Sequence, residues 1–258
     1  MDLFRKYLLI GGLPECVDSY LKDINIFHVR QLQAEIHDLY MRDAAKYEKD
    51  SGRKLKIRRI YSMIPSNLEN KKKRVVAKDI EGKKGKRMTD YDDEFDYLIS
   101  AGIALDVKAI SQPVYPLVQN AGKNLLKLSL NDVGMLTGIL YKTNIKPVLD
   151  DIASVNLGSV YESVVAQGLK AHGFELYYYD NKKNGEVDYL VDDSENVSVL
   201  PIEVKSGKDY RVHSALDKFL SNKDYGIKKG MVLSNEREVF SEDGIDYLPV
   251  YNIMFLKP

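Results

Sequence analysis

The spacing of hydrophobic residues predicts that the first part of the chain is helical. Apolar residues recur every three or four positions between residues 16 and 50, which indicates one amphipathic helix ending near Ser51 and Gly52. A second, shorter helix is expected at residues 55–63. It should end at Pro65, because the residue before a proline is pushed out of the helical region.

A third helix and a strand are predicted to follow a lysine-rich loop. Apolar positions at 91–99 indicate an amphipathic helix with Thr89 or Asp90 as its N-cap and Gly102 as its end. Residues 103–110 alternate as a strand does. Short helices, a basic segment and such a strand resemble a winged helix-turn-helix. A generic helical bundle with a solvated lysine loop fits the pattern equally well.

The pattern changes after Pro113 and Pro116, which flank Tyr115 and mark a boundary. We therefore expect a helical, winged-helix-like domain over residues 1–115 and a second domain over residues 116–258. Short strands alternate with helices in the second part, which predicts an α/β domain with helices against a central sheet. Strands are expected at residues 125–130, 175–179, 186–191, 197–204, 229–233 and 247–250, and helices at 132–140, 156–172 and 214–220.

Composition narrows the class of protein. The 258 residues are 44% hydrophobic and 29% charged, with 38 basic and 38 acidic side chains, which is typical of a globular protein with a real core. No apolar stretch is long enough for a spanning helix, and the N-terminus lacks signal-peptide order, so we expect a cytoplasmic protein without a membrane partner. Because Cys16 is the single cysteine of the sequence, the chain can form neither an intramolecular disulfide nor a zinc site built from several cysteines.

Local charge is uneven although the total is zero. Between residues 53 and 87 there are fourteen basic and three acidic side chains, which favours contact with DNA phosphates. A solvated loop would look the same, and the acidic residues at 90–96 could neutralise it. The candidate nucleic-acid-binding residues are Lys71, Lys72, Lys73, Arg74, Lys83, Lys84, Lys86 and Arg87.

Three charged residues interrupt two otherwise apolar strands that are predicted to form a hairpin. Glu203 and Lys205 share one face of their strand because side chains alternate, and Asp188 on the preceding strand can meet Glu203 across the hairpin. Buried charges are costly unless they are paired or bind a metal. Two carboxylates suit Mg²⁺ or Mn²⁺, and a lysine beside the ion can serve an attacking water, so the set fits phosphodiester hydrolysis.

Glu162 adds a third carboxylate. It shares a helix face with Val165, Ala166 and Leu169, which directs it toward the sheet. The residue is alternatively a glutamate at the rim of an ordinary amphipathic helix.

An acid on a helix, an Asp on the following strand and Glu-x-Lys on the next resemble the PD-(D/E)XK, or restriction-endonuclease-like, nuclease core. The amino-acid sequence around Glu162, Asp188, Glu203 and Lys205 resembles the C-terminal half of a bacterial and archaeal family of AAA-type ATPases that carry a domain of unknown function. Further matching segments are Gly-Gly-Leu-Pro-Glu at 11–15 and Asn-Asp-Val-Gly-Met at 131–135.

The resemblance implies a winged-helix-like part followed by a nuclease-like part, with an ATPase module as partner in cis or in trans. No phosphate-binding loop of the G-x-x-x-x-G-K-[ST] type occurs, so the chain itself should bind no nucleotide. We therefore expect the chain to be a piece of a longer protein, a split gene product, or a relative of the family that has lost the ATPase module. Two functions stay open: a metal-dependent nuclease acting on DNA, and a non-catalytic scaffold that binds DNA or protein for the ATPase.

Overall fold

The computed structural model describes residues 2–43, 50–71, 73–150 and 155–258. The chain is a mixed α/β protein in which an N-terminal helical region precedes a mixed sheet. It divides into two compact units, the first made of Met1–Asp106 and Leu126–Val155, the second of Val107–Leu125 and Asn156–Pro258. The sequence-based boundary after residue 115 lies within the second unit and stays a prediction. No helix among the described residues is long and apolar enough to cross a membrane.

Helices and strands are numbered in chain order. The helices are α1 Asp2–Ile10, α2 Pro14–Asp23, α3 Ile26–Asp43, α4 Ser51–Glu69, α5 Ala77–Glu81, α6 Asp92–Ser100, α7 Val133–Tyr141, α8 Lys146–Leu149, α9 Gly158–Ala171 and α10 Ser214–Ser221. The strands are β1 Ala104–Ile110, β2 Ala121–Leu130, β3 Tyr177–Asn181, β4 Gly185–Asp193, β5 Ser198–Lys205, β6 Gly230–Ser234, β7 Phe240–Glu242 and β8 Ile245–Pro249. Short 3₁₀ helices occupy Met88–Tyr91, Leu117–Asn120 and Val250–Phe255.

The single helix predicted over residues 16–50 is wrong, because the chain breaks between α2 and α3. Ile24 adopts the left-handed conformation with φ +51°, and its amide closes α2 on the carbonyl of Tyr20. Oδ1 of Asn25 then accepts the amide of Phe27 at 2.9 Å. A short polar side chain thus takes an amide at the start of α3 and helps begin a new helix. Residues 44–49, the end of the predicted helix, lie outside the described residues.

The predicted end of a helix at Pro65 is also wrong. Helix α4 begins after Asp50, whose Oδ1 accepts the amide of Gly52 at 2.7 Å, and runs through Pro65 to Glu69. Proline cannot donate to the carbonyl four residues earlier, so the helix loses a hydrogen bond there. Its apolar face nevertheless continues on both sides of the proline, and that burial keeps the helix intact. The buried apolar residues are Ile57, Ile60, Ile64 and Leu68.

The third helix and the strand after it are confirmed, but the predicted N-cap is wrong. Thr89 and Asp90 lie within the 3₁₀ helix Met88–Tyr91, and Tyr91 precedes α6 without a side-chain cap bond. Helix α6 ends with Gly102 at φ +68°, a conformation that glycine adopts without strain. The amide of Gly102 donates to Ile99, and that of Ile103 donates to Leu98, so the last carbonyls of the helix are satisfied. Strand β1 follows directly at Ala104.

In the first unit, α7 begins directly against the end of α1. The buried Asp132 caps α7 through the amide of Met135 at 3.0 Å and also accepts the amide of Gly12 at 2.7 Å. Gly134 allows the two backbones to approach, since a Cβ there would lie 2.6 Å from the amide nitrogen of Gly11 and from the carbonyl oxygen of Ile10. The close packing of α1 and α7 therefore depends on two residues: Asp132, which caps α7, and Gly134, which has no side chain to separate the backbones.

Eight strands among the described residues form one mixed sheet in the order β2-β1-β3-β4-β5-β6-β8-β7. Strands β3, β4 and β5 are joined antiparallel, whereas β5, β6 and β8 run parallel. The strands and helices expected after residue 120 are confirmed, while α1, α8 and β7 were not predicted, and α5 lies within the segment that was expected to be a lysine-rich loop. Side chains of α10 complete a core with those of the sheet, namely Tyr179, Val187, Leu216, Phe219, Val232 and Tyr247.

Candidate active site

Asp188 lies at the end of the backbone hydrogen bonding between β4 and β5, where its side chain, instead of the backbone, bonds to β5. The ladder reaches Tyr189–Ile202, and just beyond it Oδ2 of Asp188 accepts the backbone amide of Val204 at 2.8 Å. The register of β4 against β3 also shifts beside this residue, as in a β-bulge. Such irregularities re-aim side chains. Since Val204 lies between Glu203 and Lys205, the bond places Asp188 beside both.

Glu203 and Lys205 form a close pair near the end of β5. Nζ of Lys205 donates to Oε1 of Glu203 at 2.8 Å, and the Glu203 side chain is 9% exposed against 27% for Lys205. The other carboxylate oxygen, Oε2, is buried and receives no hydrogen bond from any residue that the structure describes. The pair therefore leaves one buried acceptor without a donor, an arrangement that costs free energy in the absence of a ligand.

The surroundings of Glu203 disfavour its negative charge. The pKa of Glu203 is raised to about 8, because burial and the neighbouring Asp188 carboxylate, with a smaller effect of Glu162, outweigh the opposing Lys205 ammonium. At neutral pH this carboxyl holds a proton unless a cation compensates it.

Glu162 reaches this group of residues from α9. Its side chain is buried, and its charge raises the pKa of both Glu203 and Tyr189. The Tyr189 hydroxyl donates to the Glu162 backbone carbonyl at 2.8 Å, which ties α9 to β4. The structure therefore brings together all four residues that the sequence proposed for catalysis.

Two further polar residues near the site were missed by the sequence analysis. The buried Tyr161 hydroxyl donates to Oδ1 of Asn235 at 3.0 Å, linking α9 to the residue after β6. Lys205 pairs in register with Ser234, so Asn235 follows at the same carboxyl edge of two parallel strands. Polar residues directly after a buried strand were the available signal, because ligands tend to bind at that edge.

The two carboxylates that the sequence analysis assigns to a divalent ion, Asp188 and Glu203, lie close enough for the charge of Asp188 to raise the pKa of Glu203. The described part of the chain contains no group of three or more His, Cys, Asp or Glu side chains placed to hold a metal. An ion held by these two carboxylates alone would take the rest of its shell from water or substrate oxygens, as Mg²⁺ commonly does. The buried Oε2 of Glu203 and the repulsion between the carboxylates are features that such an ion would relieve.

The predicted nucleic-acid-binding residues lie in the first unit, around α5. Glu81 at the end of α5 lies 3.6 Å from Nζ of Lys83 and 3.7 Å from Nζ of Lys86, so part of the basic charge is neutralised locally. Of the others, Lys71, Lys84 and Arg87 are exposed, Lys73 and Arg74 are half-buried, and Lys72 lies outside the described residues.

The acidic stretch after this segment pairs with a different helix. Asp93 lies 3.7 Å from Arg53, and Glu94 lies 3.6 Å from Lys56, both on α4. These two acids thus compensate two cations at the α4 end of the basic segment, as the sequence analysis considered, and Glu81 compensates two lysines after α5.

Comparison with known families places two matches on the chain. Residues 1–146 match the family described as Domain of unknown function (DUF8612), and residues 157–253 match Domain of unknown function (DUF4143). The second domain is typically found in C-terminal regions of AAA ATPases, in agreement with the resemblance seen in the sequence. No curated protein and no solved structure matches the chain. The first match covers more than half of the chain.

Proposed function

Because the chain belongs to the DUF8612 family, whose description assigns no activity, we propose a function from the site itself: metal-dependent hydrolysis of phosphodiester bonds in DNA, by a PD-(D/E)XK-like domain associated with an AAA-type ATPase. The observation that supports this proposal most directly is the environment of the buried Glu203. It accepts a hydrogen bond from Lys205, it lies beside Asp188, and one of its carboxylate oxygens has no hydrogen-bond donor among the described residues. The element order also supports the proposal, since the acid-bearing α9 precedes the Asp strand β4 and the Glu-x-Lys strand β5.

Each residue has a role that follows from its position. Asp188 and Glu203 hold the ion, which when bound polarises the phosphate and lowers the pKa of a coordinated water. Lys205 is the more exposed member of its pair, so its amine can orient the attacking water or stabilise charge on the phosphate oxygens. Glu162 is buried near them and would serve as a further ligand or as an additional acid of the site. Water attacks phosphorus and gives up a proton to solvent, the bond to the leaving sugar oxygen breaks, and that oxygen takes up a proton from solvent.

A scaffold function is the second candidate. The described residues lack a three-ligand metal group, and Glu203 already has a cationic partner in Lys205. The four residues would then form a structural ion cluster in a domain that binds DNA or protein without cleaving it.

The test is cleavage and metal binding by the full chain and matched variants. We expect cleavage of DNA with Mg²⁺ or Mn²⁺ and none in EDTA. Lys205→Ala should abolish cleavage and keep Mn²⁺ binding in calorimetry, because an ammonium is not a ligand. Glu203→Ala should lose both, since few hard oxygen ligands remain.

Two exposed residues of the same unit provide controls. Lys223→Ala and Glu195→Ala remove the same side-chain types. Lys223 follows α10, and Glu195 lies in the turn between β4 and β5, at the end of the ladder opposite to Asp188, so both variants should leave cleavage and Mn²⁺ binding unchanged. Cleavage that persists in EDTA or in Lys205→Ala would refute the proposed roles. If the wild type neither binds Mn²⁺ nor cleaves single- or double-stranded DNA or RNA, the scaffold function is the correct one.

A further inference from the structure

A groove of about 630 Å³ lies between α3 and α7 in the first compact unit. Both helices contribute apolar groups to its wall, and the volume falls within the range of small-molecule sites. The apolar lining residues are Phe27, Ala34, Met135, Gly138 and Ile139. This groove has no part in the proposed nuclease site, whose residues belong to the second unit.

Arg30 also lines the groove, and its guanidinium is bonded unevenly. The residue is only 5% exposed. Its Nη1 alone faces four acceptors, although this nitrogen carries two hydrogens. The acceptors are the carbonyls of Leu9 at 3.1 Å and Gly134 at 3.2 Å, Oε1 of Gln33 at 2.7 Å and Oγ1 of Thr137 at 3.1 Å.

The other nitrogens of Arg30 are unused. Nε and Nη2 are buried and have no hydrogen-bond partner among the described residues. Together they carry three N–H groups and form an edge of the guanidinium that matches the two oxygens of a carboxylate. A buried donor without an acceptor is costly, so an arriving carboxylate would recover free energy that the protein alone forgoes.

No carboxylate of the described residues pairs with this buried cation. Burial lowers the pKa of Arg30 to about 10, and the opposing charge effect comes from the Cys16 thiol. Burial raises the pKa of that thiol to about 11, so it is neutral at pH 7. The acid that lines the groove, Asp38, has a 76% exposed side chain and lies 4.0 Å from Nδ1 of His37.

We propose that the groove binds a small carboxylic acid with an apolar body. The carboxylate pairs with the free edge of Arg30, and the apolar body packs between α3 and α7. A single buried cation matches a single negative charge, and the surrounding wall offers mostly apolar contact. Because Nε and Nη2 are covered, the adjacent side chains must shift slightly when the acid enters.

The experiment compares octanoate with octanamide by titration calorimetry on the full chain. The two probes have the same body and differ in charge. We expect octanoate to bind at least about tenfold more tightly, because hydrogen bonds to a charged acceptor are the stronger ones. Arg30→Gln should remove that preference. Equal affinity for both probes, or no binding of octanoate, would overturn the proposal.

A second variant leaves Arg30 and its four acceptors in place. Ala34 is exposed on α3, so Ala34→Phe fills the groove without disturbing the core. We expect it to weaken octanoate binding by at least about tenfold. Glu35→Phe is the matched control, since Glu35 is exposed on the same helix and does not line the groove. Unchanged binding in Ala34→Phe, or equal losses in both variants, would show that octanoate binds elsewhere.

Discussion

At the scale of single residues, the state of Glu203 depends on three competing effects. Burial and the Asp188 carboxylate favour the neutral acid, whereas the Lys205 ammonium favours the anion, and the first two prevail. An ion pair at 2.8 Å is therefore insufficient to keep this carboxyl charged at neutral pH. The same residue that would bind a cation is protonated when no cation is present.

This competition predicts how stability depends on pH in metal-free buffer. The pKa of Glu203 is about 8 in the folded chain and near 4.5 in the unfolded one, so the folded state retains a proton that the unfolded state releases. The free energy of unfolding should fall as the pH rises from about 4.5 to 8. Glu203→Gln lacks this dependence and should be more stable than the wild type at pH 8.5, by several kcal/mol.

Urea denaturation in EDTA between pH 5 and 8.5 measures this difference. The exposed Glu195 supplies the control, since Glu195→Gln should follow the wild-type pH curve. Parallel curves for Glu203→Gln and the wild type would show that the Glu203 carboxyl is not shifted.

The sequence could predict the residues of the site but not its hydrogen bonds. Strand alternation is enough to place Glu203 and Lys205 on one face, and the hairpin brings Asp188 next to them. The bond from the Val204 amide to Asp188 depends on where the backbone ladder ends and on the shift in register of β4. Those features arise from the packing of three strands, which a pattern along one strand does not contain.

At the scale of elements, the sequence predicted strands better than helix ends. Helices α2 and α3 share one apolar periodicity, which continues across Ile24 although the backbone turns there. Pro65 misleads the prediction in the opposite direction. Its local preference suggests that the helix ends there, whereas α4 continues to Glu69 because its apolar face is buried on both sides of the proline. At Pro65, burial therefore overrides the local preference, whereas at Ile24 the break is made by local hydrogen bonds that the apolar spacing does not reveal.

The approach of α1 and α7 predicts an unusual effect of alanine in a helix. Alanine normally stabilises a helix over glycine by about 1 kcal/mol. At Gly134, however, its Cβ would lie 2.6 Å from backbone atoms of Gly11 and Ile10, which cannot rotate away. We expect Gly134→Ala to lower the free energy of unfolding by about 1–3 kcal/mol, because the helices must separate.

Thermal and urea unfolding compare this variant with Gly207→Ala. Gly207 has no heavy atom within 4 Å of a built Cβ and no positive φ, so that change should have little effect. A Gly134→Ala protein as stable as the wild type would mean that α1 and α7 do not approach as closely as described.

At the scale of the whole molecule, the net charge is zero although the N-terminal part of the chain is slightly basic and the C-terminal part slightly acidic. Residues 1–120 hold 22 basic and 18 acidic side chains, and the rest hold 16 and 20. A chain of zero net charge has no overall attraction for DNA, so binding must come from a local field. The basic segment around α5 is the densest source of such a field, although Glu81 lies close to two of its lysines.

The last prediction separates this local field from net charge. Replacing Lys71, Lys72, Lys73 and Arg74 with Ala should weaken DNA binding for all sequences and reduce the salt slope by about 0.9 for each duplex phosphate that the variant no longer neutralises. The control removes four exposed lysines around α10, namely Lys218, Lys223, Lys228 and Lys229. Both variants change the net charge equally, so fluorescence anisotropy at several salt concentrations should show a smaller effect for the control. Equal effects would assign binding to net charge, and unchanged affinity in the first variant would make the segment a solvated loop.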